Sequence, residues 1–340
     1  MLNTVYRLKS PRHFEVAFTD EQTTGKVIVR PLYLSICHAD QRYYQGKRAK
    51  SVLDQKLPMA LIHEGIGQVI FDDTNTFKIG QPVVMIPNMP NETNENIAEN
   101  YLYSSKFRGS TIDGFMQEYI CATPDRFVPL PEDIDLELAA FLEIVTVSYH
   151  AISRFMKIAH NNRKEIGVWG DGNLGFITAL LLKYMLPDSR IYIFGVDSNK
   201  LADFTFADRC ILVRDIPVNL KIDHAFECVG TAASANAIDQ IIDTINPEGT
   251  VSILGVSEDR VPINTRMVLE KGLRFFGSSR SGREDYIGTI NLLKDNPNIL
   301  QYLHTLVGYI KNVRTINDIV DAFETDISKI KGKTIMKWEV

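Results

Sequence analysis

The chain has 340 residues, of which 45% are hydrophobic and 23% charged, and its formal net charge is −5. That length predicts about two domains with substantial cores, and the composition is that of an ordinary globular protein. Lys and Arg are scattered, which excludes a nucleic-acid footprint, and no apolar run is long enough to span a membrane. The opening MLNTVYRLKSPRHFEV lacks the apolar core of a secretory leader. Cys37, Cys121, Cys210 and Cys228 contain no C-x-x-C spacing, so no disulfide framework is expected and the cytoplasm is the expected compartment.

Residues 1–147 read as short strands, turns and irregular loops. VIVRPLYLSIC, GIGQVIF and PVVMIP are strand-like, and Gly65 and Gly67 interrupt theirs as a bulge or close approach would. A long polar excursion follows over 88–114. From 148 to 289 the rhythm becomes strand and helix in alternation, which predicts a parallel sheet covered on both faces. Its expected strands begin at Ile166, Arg190, Cys210, Asp223, Gly249 and Leu273, with helices over Lys200–Phe206 and Ala235–Ile245. Residues 290–340 read as one or two amphipathic helices and a last strand, Lys333–Trp338, returning to the first domain.

The most informative stretch is Ile166 to Leu186. A buried strand meets Gly170-Asp171-Gly172-Asn173-Leu174-Gly175 and then an apolar helix, which is the dinucleotide fingerprint in its required context. Gly170 makes the tight turn, Gly172 admits a pyrophosphate to the backbone, and Gly175 packs the helix on the strand. Asn173 and Leu174 open that helix, whose unpaired N–H groups suit phosphate. Asp171 places a carboxylate in the phosphate loop, where it repels phosphate unless turned away.

Two segments of the first domain hold metal-ligand types, Ser35-Ile36-Cys37-His38-Ala39-Asp40 and Leu61-Ile62-His63-Glu64-Gly65. Glu143 lies in the apolar run Phe141–Val145, where a carboxylate is costly to bury without a partner. Each has a bland reading as core, hydrogen-bonded or capping residue. Together with C-x-x-D at Cys37–Asp40, H-E-G-x-G at His63–Gly67 and E-C-V-G at Glu227–Gly230, the chain resembles the zinc-dependent medium-chain alcohol dehydrogenases. The resemblance implies an α/β protein: a GroES-like, mostly-β catalytic domain (1–147 and 290–340) and a Rossmann doubly wound coenzyme domain (148–289). It implies one catalytic zinc on Cys37, His63 and Glu143, with Glu64 entering the shell transiently and Asp40 orienting the histidine. No four-cysteine cluster exists for a structural zinc, and Ala39 stands where relatives carry a relay hydroxyl. Water, His38 or a tyrosine are the remaining proton routes.

Within the family, RPLYLSICHADQRYYQGKR, LPMALIHEGIGQV, DHAFECVG and the closing KWEV resemble the ribulose-5-phosphate reductases. That implies NADPH-linked reduction of ribulose 5-phosphate to ribitol 5-phosphate for teichoic acid or capsule precursors. It also implies a homodimer and a ribitol-5-phosphate cytidylyltransferase as pathway neighbour. Aligned on the family, the ribose-binding acid falls on Gly195, which leaves room for a 2′-phosphate within reach of Ser198 and Lys200. Asp197 competes, since a slip in register makes it that acid. Cys228 and Gly255 are placed with the cofactor. For the substrate phosphate the candidates are Arg280, Arg42 and Arg283, with Lys47 and Arg48 beside them. Two rival readings are an NAD-linked polyol dehydrogenase and a zinc-free nucleotide-binding protein without catalysis.

Overall fold

The computed structural model describes residues 1–258 and 260–340. Its contacts divide the chain into two units, Met1–Ile144 with Ser281–Val340, and Val145–Arg280. The sequence predicts the return at 290, and the division falls earlier for a local reason. Arg283 opens the helix Arg283–Asp295, and its guanidinium donates to the carbonyls of Asp125 and Phe127, both at 2.8 Å. That ties the helix start to the first unit.

In the first unit a seven-stranded sheet runs in the order Val307–Val313, Lys333–Trp338, Val27–Ser35, Glu64–Asp72, Pro82–Met85 and Phe127–Pro129, with Ile120–Ala122 also pairing Val27–Ser35. Neighbours are antiparallel except for the pair Val307–Val313 and Lys333–Trp338. Val307–Val313 was not foreseen: its middle residues are exposed, so no apolar alternation marks it. The inward faces of the longer strands place Val27, Val29, Leu34, Val69, Val83 and Met85 in one core with Phe115, Phe127 and Phe323. The polar excursion forms only the short pair Asn88–Met89 with Lys106–Phe107 and a turn at Glu99–Tyr101. Glu99 anchors it by a bidentate bond from Arg126, at 3.0 and 3.1 Å.

The second unit is a six-stranded, wholly parallel sheet. In spatial order its strands are Arg209–Leu212, Arg190–Gly195, Glu165–Trp169, Ile222–Glu227, Ile245–Ile253 and Arg274–Gly277. Ile222–Glu227 is buried along its whole length, as a central strand covered on both faces must be. The strand order reverses direction between Glu165–Trp169 and Ile222–Glu227, the switch point at which such sheets bind ligands. Gly170 and Cys228 follow directly on those two strands. The helix expected over Lys200–Phe206 is corrected to Ser198–Leu201. Phe204 and Phe206 both reach the ring of Phe176, each at 5.1 Å, and residues two apart on a helix point to opposite sides. Among the described residues no helix is long and apolar enough to cross a membrane.

Candidate active site

Cys37 caps the helix His38–Tyr44, and Asp40 in its first turn binds two loops at once. One carboxylate oxygen accepts the Cys37 N–H at 3.0 Å and the other accepts the Ile62 N–H at 3.0 Å. Ile62 is fully buried with φ of 71°, an outlier for a β-branched residue. Strain of that kind persists only where surroundings impose it. Here Asp40 holds its N–H, and its carbonyl accepts from Phe115 N at 2.7 Å. The strained turn delivers His63, which packs against Phe107 and brings Nδ1 to 3.6 Å from Asp40 Oδ1.

Around His63 the donors converge. Ligand-type atoms of Cys37, Asp40 and His63 lie within 4.8 Å of one another, and so do those of His63, Glu64 and Glu143. His63 Nδ1 is buried without a hydrogen bond in ordinary range. An unsatisfied ring nitrogen beside a thiol and two buried carboxylates fits a zinc ion, which takes this mixture of S, N and O donors. Burial disfavours the charged form of His63, but the charges of Asp40 and Cys37 outweigh it and raise its pKa well above the histidine norm. Burial pushes Glu143 up to about 7, against the opposing pull of His63.

Two residues of this site carried no signal in the sequence. Lys333, at the start of the last strand, is 3% exposed, and its Nζ lies 2.8 and 2.7 Å from the two oxygens of Glu64. Burial opposes its charge, yet Glu64 and Cys37 raise it to about 12. Lys329 pairs with the buried Asp326, which also accepts from Gln41 at 2.9 Å. Both lysines belong to a segment far from the ligand loops in sequence, and a lone Lys in a strand reads as surface. Burial lowers His38, and Arg42 pushes it the same way. Lys47 and Lys329 add to that effect, and Asp326 opposes it, so His38 sits among the cations of this unit.

In the second unit Gly170, Asp171, Gly172, Phe194, Gly195 and Cys228 are among the residues lining a cavity of about 390 Å³. Gly170 has φ of +126°, and a Cβ on Gly175 would lie 2.0 Å from the Gly170 carbonyl oxygen. Asn173 and Leu174 open the helix Asn173–Met185 beside it. Ser198, Lys200 and Gly255 are not in that lining. Asp197 caps the helix Ser198–Leu201, its carboxylate accepting from Asn199 N at 2.8 Å and Lys200 N at 3.4 Å. Glu227, fully buried, is surrounded by donors: Val229 N at 2.9 Å, Gly230 N at 3.3 Å, Ser234 Oγ at 3.0 Å and Gly255 N at 3.2 Å. It thereby fixes Cys228 and Gly255 in place. Cys228 is buried with its Sγ 3.8 Å from Thr178 Oγ1, and burial raises its thiol far above the usual range.

Of the phosphate candidates, Arg283 spends its guanidinium on two backbone carbonyls of its own unit. Arg42 follows Cys37 in the first unit, while Arg280 ends the second with φ of 60°. Arg48 lies over the Tyr43 ring, 4.8 Å from its centroid.

Two family descriptions match the chain, the alcohol dehydrogenase GroES-like domain over residues 23–132 and the zinc-binding dehydrogenase domain over 202–295. A ribulose-5-phosphate reductase of Bacillus spizizenii is 55% identical over the whole of both chains. Ribulose-5-phosphate reductase 1 of Staphylococcus aureus is 52% identical over 99% of each. This chain belongs to the zinc-binding alcohol dehydrogenase family, in its ribulose-5-phosphate reductase branch. The fold agrees: the crystal structure of S. aureus TarJ in complex with NADPH superposes with a TM-score of 0.89, at 48% identity and full coverage of both chains.

Proposed function

We propose that this reductase-branch enzyme converts D-ribulose 5-phosphate to D-ribitol 5-phosphate with NADPH and one catalytic zinc. The observation that carries the reading is the pair of ligand groups that share His63, Cys37 with Asp40 and Glu64 with Glu143, in a chain so similar, end to end, to named reductases. Cys37, His63 and Glu143 would hold the metal, and Glu64, held by Lys333, stands beside them as a fourth candidate, a carboxylate. Zinc supplies Lewis-acid polarisation of a carbonyl and stabilises the alkoxide that hydride addition creates. Asp40 fixes both ligand loops through their backbones. Ala39 has no hydroxyl, and His38, whose pKa is lowered by burial and by Arg42, relays the proton as a neutral ring, taking one from solvent on one nitrogen as the N–H of the other donates to the product oxygen. Gly170 to Gly175 receive the pyrophosphate of NADPH, and Arg280, with Arg42 as the alternative, receives the substrate phosphate.

The NAD-linked polyol reading rests on Asp197, which caps a helix through Oδ1 and is not among the residues lining the cavity of the second unit. The test is a spectrophotometric screen of NADPH and NADH against ribulose 5-phosphate, ribulose and fructose 6-phosphate, with zinc content measured on the same sample. Fastest turnover of ribulose 5-phosphate with NADPH is expected; preference for an unphosphorylated sugar refutes the assignment. The product suits a cytidylyltransferase of the same pathway in the cytoplasm. The edge strand Arg274–Gly277, next to a helix whose Leu269 is 81% exposed, gives a surface for homodimer formation. Light scattering at micromolar concentration checks the dimer.

A further inference from the structure

Asp171 is the unexplained residue of the phosphate loop, and its contacts show where its charge goes. Its Oδ2 accepts the N–H of Val196 at 2.7 Å and of Asp197 at 2.9 Å. Those residues follow Arg190–Gly195, the second strand of the parallel sheet in chain order. In dinucleotide sheets the acid that hydrogen-bonds the ribose 2′-hydroxyl sits about 20 residues past the glycine turn, at the end of that strand. Here Gly195 occupies that end, and a Cβ built on it would lie 2.7 Å from both Cβ and Oδ2 of Asp171. Gly195 is therefore required by the carboxylate beside it, not only by the space a 2′-phosphate needs. Asp171, Gly195 and Val196 all line the cavity of the second unit.

We propose that Asp171 is a specificity-determining residue of the nucleotide site, a carboxylate carried on the phosphate loop but placed at the end of the second strand, where it disfavours a 2′-phosphate and favours a 2′-hydroxyl. The proposal rests on the reading that a nicotinamide nucleotide binds this cavity. Two backbone donors, both to Oδ2, hold the carboxylate against the turn. A 2′-phosphate must be accommodated beside this fixed negative charge, whereas a 2′-hydroxyl can donate to it. Lys200, on the helix that follows and outside the cavity lining, pulls the other way through its charge alone. The preference for NADPH is then the difference between a cation that attracts the phosphate and an acid that opposes it.

The test is direct binding, by titration calorimetry, of NADPH and NADH to the full chain in its wild-type and Asp171→Asn forms. Asparagine keeps an oxygen for the Val196 and Asp197 N–H groups and removes only the charge. NADPH should bind about three- to tenfold more tightly to the variant, while NADH should bind no more tightly and lose at most about twofold. The gain for NADPH should shrink at high salt, because it is a screened charge effect. Parallel changes for both nucleotides, or weakening of NADPH alone, assign Asp171 to holding the turn and overturn the proposal. Should thermal melting show the variant unfolded, Asp171→Ser is judged by the same ratio. A wild type that binds neither nucleotide overturns the functional reading together with this proposal. Wild-type binding with an unchanged ratio in the variant overturns this proposal alone.

Discussion

Both units bury carboxylates, and they neutralise them differently. In the second unit the partners are mostly backbone. Asp223 accepts Lys164 N and Glu165 N on one oxygen and the amides of Asn162 and Asn246 on the other, Glu227 accepts three N–H groups and a hydroxyl, and the half-buried Asp171 accepts Val196 N and Asp197 N. In the first unit Asp40 is held by amides in the same way, but the two carboxylates grouped with His63 face side chains that carry charge of their own: Lys333 on Glu64, and His63 beside Glu143. A carboxylate held by amides is complete and fixes the loops that donate to it. A cluster of charged side chains can admit a further cation and rearrange around it. The first arrangement suits a rigid cradle, the second an exchanging metal site.

The largest effect should come from breaking the metal site alone. Cys37→Ser keeps a good helix cap but loses the thiolate. It should lower kcat/KM at least about a thousandfold, ~4 kcal/mol, and take zinc from about one per chain toward none. NADPH affinity should stay within about twofold, since the cradle belongs to the other unit. A matching loss of NADPH binding would break the division of labour drawn above.

Next in size is the buried pair Glu64 and Lys333. Removing one partner leaves a charge without compensation, and such changes cost about 3–5 kcal/mol. Lys333→Met should therefore destabilise the first unit by that amount, and adding Glu64→Gln should recover much of it. The two tryptophans separate the units: Trp338 reports the first and Trp169, stacked on Phe194 at 3.9 Å, reports the second. Urea melts of the variants with Trp169→Phe then follow Trp338 alone. A Trp338 transition left unshifted by Lys333→Met would refute the pair's place in the first unit's stability.

The second unit should answer to pH through His224. Burial, helped by the charge of His160, lowers it to about 4. The neutral ring is satisfied on both sides, by Asn162 O at 3.0 Å and Thr250 N at 3.1 Å. From the ordinary 6.5 down to about 4 the unfolded chain binds a proton that the folded one does not. Stability of this unit therefore falls as pH drops through that window, by up to about 3 kcal/mol. His224→Gln should flatten the slope in the Trp169 signal, and an unchanged slope would assign acid sensitivity to the carboxylates instead.

What could be read from the sequence follows the same division. The cradle was legible because strand, glycine turn and helix are contiguous, so local pattern and tertiary role coincide. Its exceptions were Asp171, whose partners are amides 25 residues away, and Gly195, whose missing Cβ answers to Asp171. The metal site was legible only through family likeness, because Cys37, His63 and Glu143 have no local period. Lys333 escaped altogether: its partner Glu64 lies 269 residues away, and nothing in K-G-K-T marks the lysine as buried.

The smallest effect asks which unit holds the substrate phosphate. Arg280 follows the end of the strand Arg274–Gly277, and parallel sheets bind ligands at such ends. Because it already adopts φ of 60°, Arg280→Ala adds little backbone strain of its own. If its guanidinium grips the phosphate, that binding energy positions the carbonyl as well as adding affinity. The variant should lose about tenfold in kcat/KM for ribulose 5-phosphate, ~1.4 kcal/mol, and almost nothing for ribulose, which offers the arginine no phosphate. Arg42→Ala, in the first unit, is the matched experiment. A selective loss at Arg280 but not Arg42 makes the nucleotide-bearing unit the phosphate reader, leaving the metal unit to act on the carbonyl. The reverse gives both tasks to the unit whose charges are free to rearrange. Equal losses on both substrates assign the arginine to the fold or the cofactor, and the division between cradle and metal site then says nothing about the substrate.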